Sequence, residues 1–451
     1  MSFFNRVNVA LEELDEATLD SGEGMAADPD TQELDTVDTS DDLAVSEAEA
    51  EITADNESID EAVEVSEELQ EQAESNEEAL ENPEEVTEEQ VEVAEECLKM
   101  NLARLGFVDM YKEANSQFKL AHESYSSPAE RLQVAQEGIK ETIGKIIEMI
   151  RNIFRKIIMW FKKMYAKLIV MFNRNLARAK KVKELVSKRN GGKVDPDEFA
   201  ALCADHPLVG YWLADSSTRL NIDKDSATID TIKVLVDKIN NLVSSGGTDA
   251  GKATWPTNHV DDTAALTDLG AELDKMHGGD KAGRAIVTNP TSQKPKVLYI
   301  VSTDSGKKGE NGATDDFIEF ELQYQKVDLE QESWENKIKG KATGVEKTWI
   351  QGHLTNIIKS AGKIKKFADN AFKTIESGGK MANAFASLQK KVEKSSQGEM
   401  STNAYTRAAN IGRKLAGQVA VDVVIGSIRA QGVAVSILAA CAKQLDNKKN
   451  K

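Results

Sequence analysis

The feature that most constrains what this chain can fold into is a stretch of helical spacing that runs from Ser127 to about Ser187 without a break. It opens at SSPAERLQVAQ, where Ser127 suits the N-cap, Pro128 the first helical position and Glu130 the far side of a capping box. It stops at Gly191-Gly192. At 1.5 Å per residue such a helix reaches roughly 90 Å, and Gly138 and Gly144 are expected to bend it near its start. Ile146, Ile147, Ile150, Ile153, Phe154, Ile157, Ile158, Phe161, Met164, Tyr165, Leu168, Met171 and Phe172 follow one another at three- and four-residue steps. They form one continuous apolar stripe, which reads most simply as the core side of a helix bundle.

The opposite face is cationic. It carries Lys145, Arg151, Arg155, Lys156, Lys162, Lys163, Lys167, Arg174 and Arg178, and residues 140–190 hold 15 bases against three acids. An ordinary solvated face mixes signs, so this one asks for a negatively charged partner. Nucleic acid needs cations spaced along one surface and little else. An anionic membrane is the alternative, with Trp160, Phe161, Tyr165 and Phe172 as interfacial anchors.

Charge is partitioned along the whole chain. Residues 1–97 contain 35 acids and one cation, Arg6, a net of −34, while the other 354 residues carry +14. The overall −20 conceals both. Such asymmetry points to an acidic tail and a separate polyanion-binding body. Low hydrophobicity and high charge predict disorder from Ser21 to about Asn56, and no more than nascent helix over 58–97, where like charges three and four apart repel. Residues 347–451 repeat the cationic bias with 18 bases and six acids, densest in IKSAGKIKKF, which contains Lys363, Lys365 and Lys366. The small, apolar stretch 415–442 suits tight helix packing better than membrane insertion, because Asp422 and Arg429 interrupt it.

The middle region, 193–345, reads as an α+β insert. Residues 226–244 and 261–276 have helical spacing, and KVLYIVS (296–302) and FIEFELQYQKV (317–327) read as strands. The expected divisions are an acidic arm (1–97), a helical region (98–192), the insert (193–345) and a basic helical region (346–451). The expected fold class is mainly α: an elongated bundle with a small α+β insert and a disordered acidic arm. Breaks are expected at Gly378-Gly379 and at 395–398.

Motifs for chemistry are weak. GGTDAGKAT (246–254) has the glycines and lysine of a phosphate-cradling loop, but Ala253 stands where a magnesium-binding hydroxyl belongs. Cys203 and His206 have a ligand-like spacing without a second pair, so no metal or cofactor is expected. HGGDKAGR (277–284) reads as a turn. Cys97, Cys203 and Cys441 are too few and too far apart for a disulfide framework. The chain reads as a non-enzyme.

An acidic leader ahead of a cationic helical body resembles the internal head proteins of large tailed bacteriophages. The resemblance implies a virion protein packed inside the head after synthesis in the host cytoplasm, with phage DNA and other head proteins as partners. It also implies trimming by a prohead protease after Glu in small-x-Glu patterns. Residues 1–97 contain seven: Ala10-Leu11-Glu12, Ser21-Gly22-Glu23, Ala62-Val63-Glu64, Ser66-Glu67-Glu68, Ser75-Asn76-Glu77, Ala79-Leu80-Glu81 and Ala94-Glu95-Glu96. The last lies at the charge boundary, so cleavage is expected there, releasing a mask from a body that begins at Cys97. Neither oligomeric state nor the role of the insert follows from the sequence.

Overall fold

The computed structural model describes residues 40–189, 191–215, 220, 222–245, 253, 284–292, 294–302, 318, 320–326, 331–360, 363–392 and 402–445. In chain order, the N-terminal part comprises α1 (Ser40–Leu80), α2 (Glu88–Arg104), α3 (Val108–Ser124) and α4 (Pro128–Lys188). The insert comprises α5 (Pro196–Leu202), α6 (Pro207–Ala214), α7 (Ile222–Ser245), β1 (Arg284–Val287), β2 (Lys296–Ser302), β3 (Phe320–Lys326) and α8 (Gln331–Lys341). The C-terminal part comprises α9 (Lys347–Lys359), α10 (Ile364–Val392), α11 (Thr402–Lys414), a π-helical turn (Leu415–Val419) and α12 (Ala420–Gln444). The protein is mainly α with a small sheet, and Asp41–Lys451 form one unit.

Helix α4 is the spine. Eleven of the thirteen stripe residues are buried; Ile158 and Tyr165 are half-buried. Ser127 is the N-cap and Pro128 opens the helix, yet the Ser127 hydroxyl makes no cap hydrogen bond, so the expected capping box is not formed. Gly138 and Gly144 lie within one continuous helix. A Cβ at Gly138 would stand 2.9 Å from Leu98 Cδ2, so this glycine serves the close approach of α2. At the other end, Lys347 Nζ donates to the carbonyls of Ser187 (2.9 Å) and Arg189 (2.6 Å), a cation placed where the helix dipole is negative.

The expectation of a disordered arm fails from Ser40 onward. Residues 40–80 are one helix, and 88–104 another with a complete Thr87–Gln90 capping box. Val45, Ile52, Ile59, Ala62, Val65 and Leu69 are buried along α1. Each large one contributes on the order of 1.5–3 kcal/mol through burial, which outweighs the few tenths lost to each like-charge pair. The repulsion is also met directly: Arg104 reaches Glu61 (3.5 Å), Glu64 (2.6 Å) and Glu68 (3.1 Å), three acids on one face of α1. Residues 1–39 lie outside the described ones.

Near the junction of α2, α3 and α4, His122 Nδ1 accepts from Arg131 at 3.0 Å. His122 Nε2 therefore carries the proton and donates to Glu95 at 2.8 Å. Arg131 continues to Glu88 at 2.5 Å.

The insert returns to where it leaves: Val194 N–H donates to the Val345 carbonyl at 2.9 Å, and Lys193 bridges to Glu346. Its sheet is antiparallel in the order β1-β2-β3, with Val297 opposite Val287 and Tyr299 opposite Gln323. Strand β2 matches the expected 296–302, β3 lies within the expected 317–327, and β1 carries no sequence signal strong enough to predict it. The expected helix over 226–244 is the body of α7, which packs on α10. The expected helix over 261–276, the GGTDAGK stretch and the HGGDKAG stretch lie outside the described residues.

The C-terminal small-residue stretch packs tightly, as its composition suggests. The Arg407–Gln444 run is long and apolar enough to cross a membrane, but 72% of its most apolar window is buried within the fold. Phe154 fits among Gly378, Gly379 and Gly417. Gly378-Gly379 therefore does not break α10, because the missing side chains make room for Phe154 inside a continuous helix. The expected break at 395–398 lies outside the described residues.

Candidate nucleic-acid interface

From Met149 to Lys183 helix α4 carries eleven cations and no acid. With the apolar stripe turned inward, these cations are left on the flanks and outer face, and the packing of other helices sorts them. Exposed Lys145 pairs with Glu141 at 3.1 Å. Exposed Lys156 and Lys163 line a groove against Glu51 and Asp55 of α1, with Lys163 Nζ 4.8 Å from the Trp160 ring centre. Burial raises the Asp55 carboxyl and nearby Lys156 opposes the shift. Lys167 is exposed, Arg174 half-buried, and Arg178 turns inward to donate to Ser436 of α12 at 2.9 Å.

Arg151, Arg155 and Lys162 converge on a second groove, of about 400 Å³, between α4 and α10. Helix α10 adds Lys380 and a single acid, Glu376. The two helices run antiparallel: Phe161 stacks on Phe372, and Tyr165 Oη donates to Asp369 at 2.6 Å. Burial, with Asp369 beside it, pushes the Tyr165 hydroxyl well above its usual range. That register carries Lys366 to the level of Leu168. Lys363 and Lys366 are exposed; the side chain of Lys365 lies outside the described residues.

Sequence reasoning missed Lys373 and Lys380. Together with Lys366 they recur every seven residues along α10, and all three are exposed. That heptad spacing was a readable signal, since residues seven apart share one helix face. It was obscured by the expected break at Gly378-Gly379. Also missed were Glu51 and Asp55, which became relevant only when α1 proved to be folded.

Three of the four proposed membrane anchors are unavailable. Phe161 and Phe172 are fully buried and half-buried Tyr165 is held by Asp369; Trp160 is half-buried beside exposed Met159. The proposed cleavage point is also misplaced for an accessible arm. Ala94 and Glu95 are buried, Glu96 is exposed, and all three lie in mid-helix in α2.

Fold and surface together define a helical protein whose charges are partitioned between an acidic and a basic helix packed in one unit. Residues 47–254 match the family model of phiKZ-like phage internal head proteins. The match supports an internal head protein of a large phage, located inside the head in association with other head components. It begins within α1, so the acidic helix and the cationic helix are both part of the matched region. No curated protein and no solved structure matches the chain.

Proposed function

We propose that this internal head protein compensates DNA charge without reading sequence and without catalysis, through the cationic surfaces of α4 and α10. The observation that carries this reading is the acid-free stretch of α4 lying antiparallel to the Lys366, Lys373 and Lys380 row of α10. The net charge of −20 does not oppose it. At 0.1 M salt, charges more than about 10 Å away are screened, so the local surface decides binding. Acidic α1 is then not a mask to be shed but a folded counter-charge, satisfying Lys140, Arg104 and Arg413 from within.

The test is binding of the full chain to two duplexes of unrelated sequence over a salt series. Equal affinities that fall steeply with salt support the reading. Absence of binding at low salt overturns it. Binding to anionic vesicles alone, abolished by Trp160→Ser, would establish the membrane alternative.

For trimming, the reading shifts from Glu96 to Glu81. Among the small-x-Glu sites in the described part of residues 1–97, those ending at Glu64, Glu68, Glu77 and Glu96 lie within helices. Ala79-Leu80-Glu81 ends in the exposed turn 81–85 between α1 and α2, where a protease can bind extended backbone at least cost. A cut there leaves α1 held by its buried face. Mass analysis of protein from mature particles checks this: a new N-terminus at Asn82 with the α1 peptide still associated supports it. A chain beginning at Cys97, or one uncut between α1 and α2, contradicts it.

A further inference from the structure

We propose that the groove between α4 and α10 is the phosphate seat of this protein: it takes the phosphodiester backbone of a nucleic-acid strand, and the exposed lysines outside it are secondary. The proposal rests on the charge-compensation reading and specifies where on the surface it operates.

Three observations support it. First, the groove concentrates cations: Arg151, Arg155 and Lys162 from one helix and Lys380 from the other face a single carboxylate, Glu376. Phe154 and Ile158 form part of its wall. Low-dielectric walls focus the field of such a cluster, whereas lysines on an open face act through water.

Second, the Nε of Arg151 is shut off from solvent and donates to no group among the described residues. The guanidinium charge is therefore incompletely compensated inside the protein, and a phosphate in the groove that Arg151 lines would supply the missing counter-charge. A guanidinium suits that task because its planar fork matches phosphate geometry. Arg155 makes only a long contact, 3.4 Å, to Asn152 of its own helix, which leaves most of its donors available.

Third, the spacing fits a strand rather than a single ion. Arg151, Arg155, Ile158 and Lys162 lie on one face of α4, and from Arg151 to Lys162 the helix rises about 16 Å. That is the axial rise of about five phosphates of one strand. The outer groove by α1 differs in that Glu51 and Asp55 stand opposite Lys156 and Lys163 and offset them.

The experiment compares two sets of variants in the full chain, using a mixed-sequence 20-base-pair duplex over a salt series. The groove set is Arg151→Gln, Lys380→Gln and Glu376→Gln; the outer set is Lys156→Gln and Lys163→Gln. Each groove cation removed is expected to lower affinity about tenfold and the salt slope by about one, while each outer change costs less than threefold. Glu376→Gln is expected to tighten binding, an outcome that misfolding does not produce. If wild type binds but the groove variants match it, or both sets lose affinity equally, the groove assignment is overturned while charge compensation stands. If wild type does not bind DNA, charge compensation fails and the groove assignment with it.

Discussion

Asn76 of α1 donates to the side-chain carbonyl of Gln136 of α4 at 3.1 Å, and both residues are almost wholly buried. Gln136 in turn donates to the Ala73 carbonyl at 3.1 Å. Two buried amides satisfied across 60 residues of chain mark α1 as a fixed element of the core, because an unmatched buried amide costs about 1–3 kcal/mol.

It follows that removal of residues 1–96 should not release a stable cationic body. Ile52, Ile59 and Leu69 would leave their partners exposed, a loss on the order of the 5–15 kcal/mol that holds a typical protein folded. Urea unfolding of the deletion should lack a cooperative transition, and Ile59→Ala alone should cost about 2–5 kcal/mol. A deletion with wild-type stability would restore the removable-arm view.

Gly378→Ala should destabilise the contact between α10 and the π-helical turn. The new Cβ would stand 2.5 Å from Ala416 Cβ and 2.8 Å from Phe154 Cζ, both buried, at a cost of about 1–3 kcal/mol. Adding Ala416→Gly removes the nearer clash and should recover part of the loss. Thermal melts of the single and double variants measure the coupling.

Arg413 is buried and donates to Asn56 of α1 at 2.9 Å, to Asn410 at 2.7 Å and to Asp60. Burial depresses its pKa and Asp60 opposes that shift. Asp60→Asn leaves the guanidinium charge without its counter-ion and should cost about 3–5 kcal/mol. Arg413→Met removes the charge itself and should cost less than Asp60→Asn. The reverse order in denaturant titrations would show that the pair contributes little beyond packing.

Asp422 supplies a pH signature. Its carboxyl is buried on α12, its Oδ2 has no hydrogen-bond partner among the described residues, and burial pushes its pKa up to about 7. Lys296 of β2 and Arg429 oppose the shift; Glu49 of α1 adds to it. Tyr324 of β3 also faces it, its hydroxyl raised by burial and by Asp422. A raised folded pKa means that the native state holds the proton longer than the unfolded chain. The associated stability is full below pH 4 and is lost as pH rises through 7, on the order of a few kcal/mol. Asp422→Asn should therefore flatten this decline and exceed wild type at pH 8. Half-buried His353, whose pKa burial lowers to about 4, has the opposite slope: its stability is full above about pH 6.5 and is lost as pH falls toward 4.

What the sequence by itself determined was set by local periodicity. The stripe from Ile146 to Phe172 specified a long helix and which face it buries, because one helix has one repeat and its side chains follow it wherever it packs. KVLYIVS specified β2 for the same reason. The ends of the insert at Lys193 and Val345 were marked by changes of composition, and they meet in space.

What only the tertiary structure decided depended on partners remote in sequence. The acidic segment repels itself when taken alone, and nothing local reveals that Arg104, Lys140 and Arg413 will meet its acids or that Gln136 of α4 and Arg429 of α12 will bond to it. The glycines of α10 resemble a helix break until Phe154 occupies the space beside them. Nor does spacing show which cations of α4 share a groove with Lys380, more than 200 residues away, because charge on one helix face acquires a site only when a second helix walls it in.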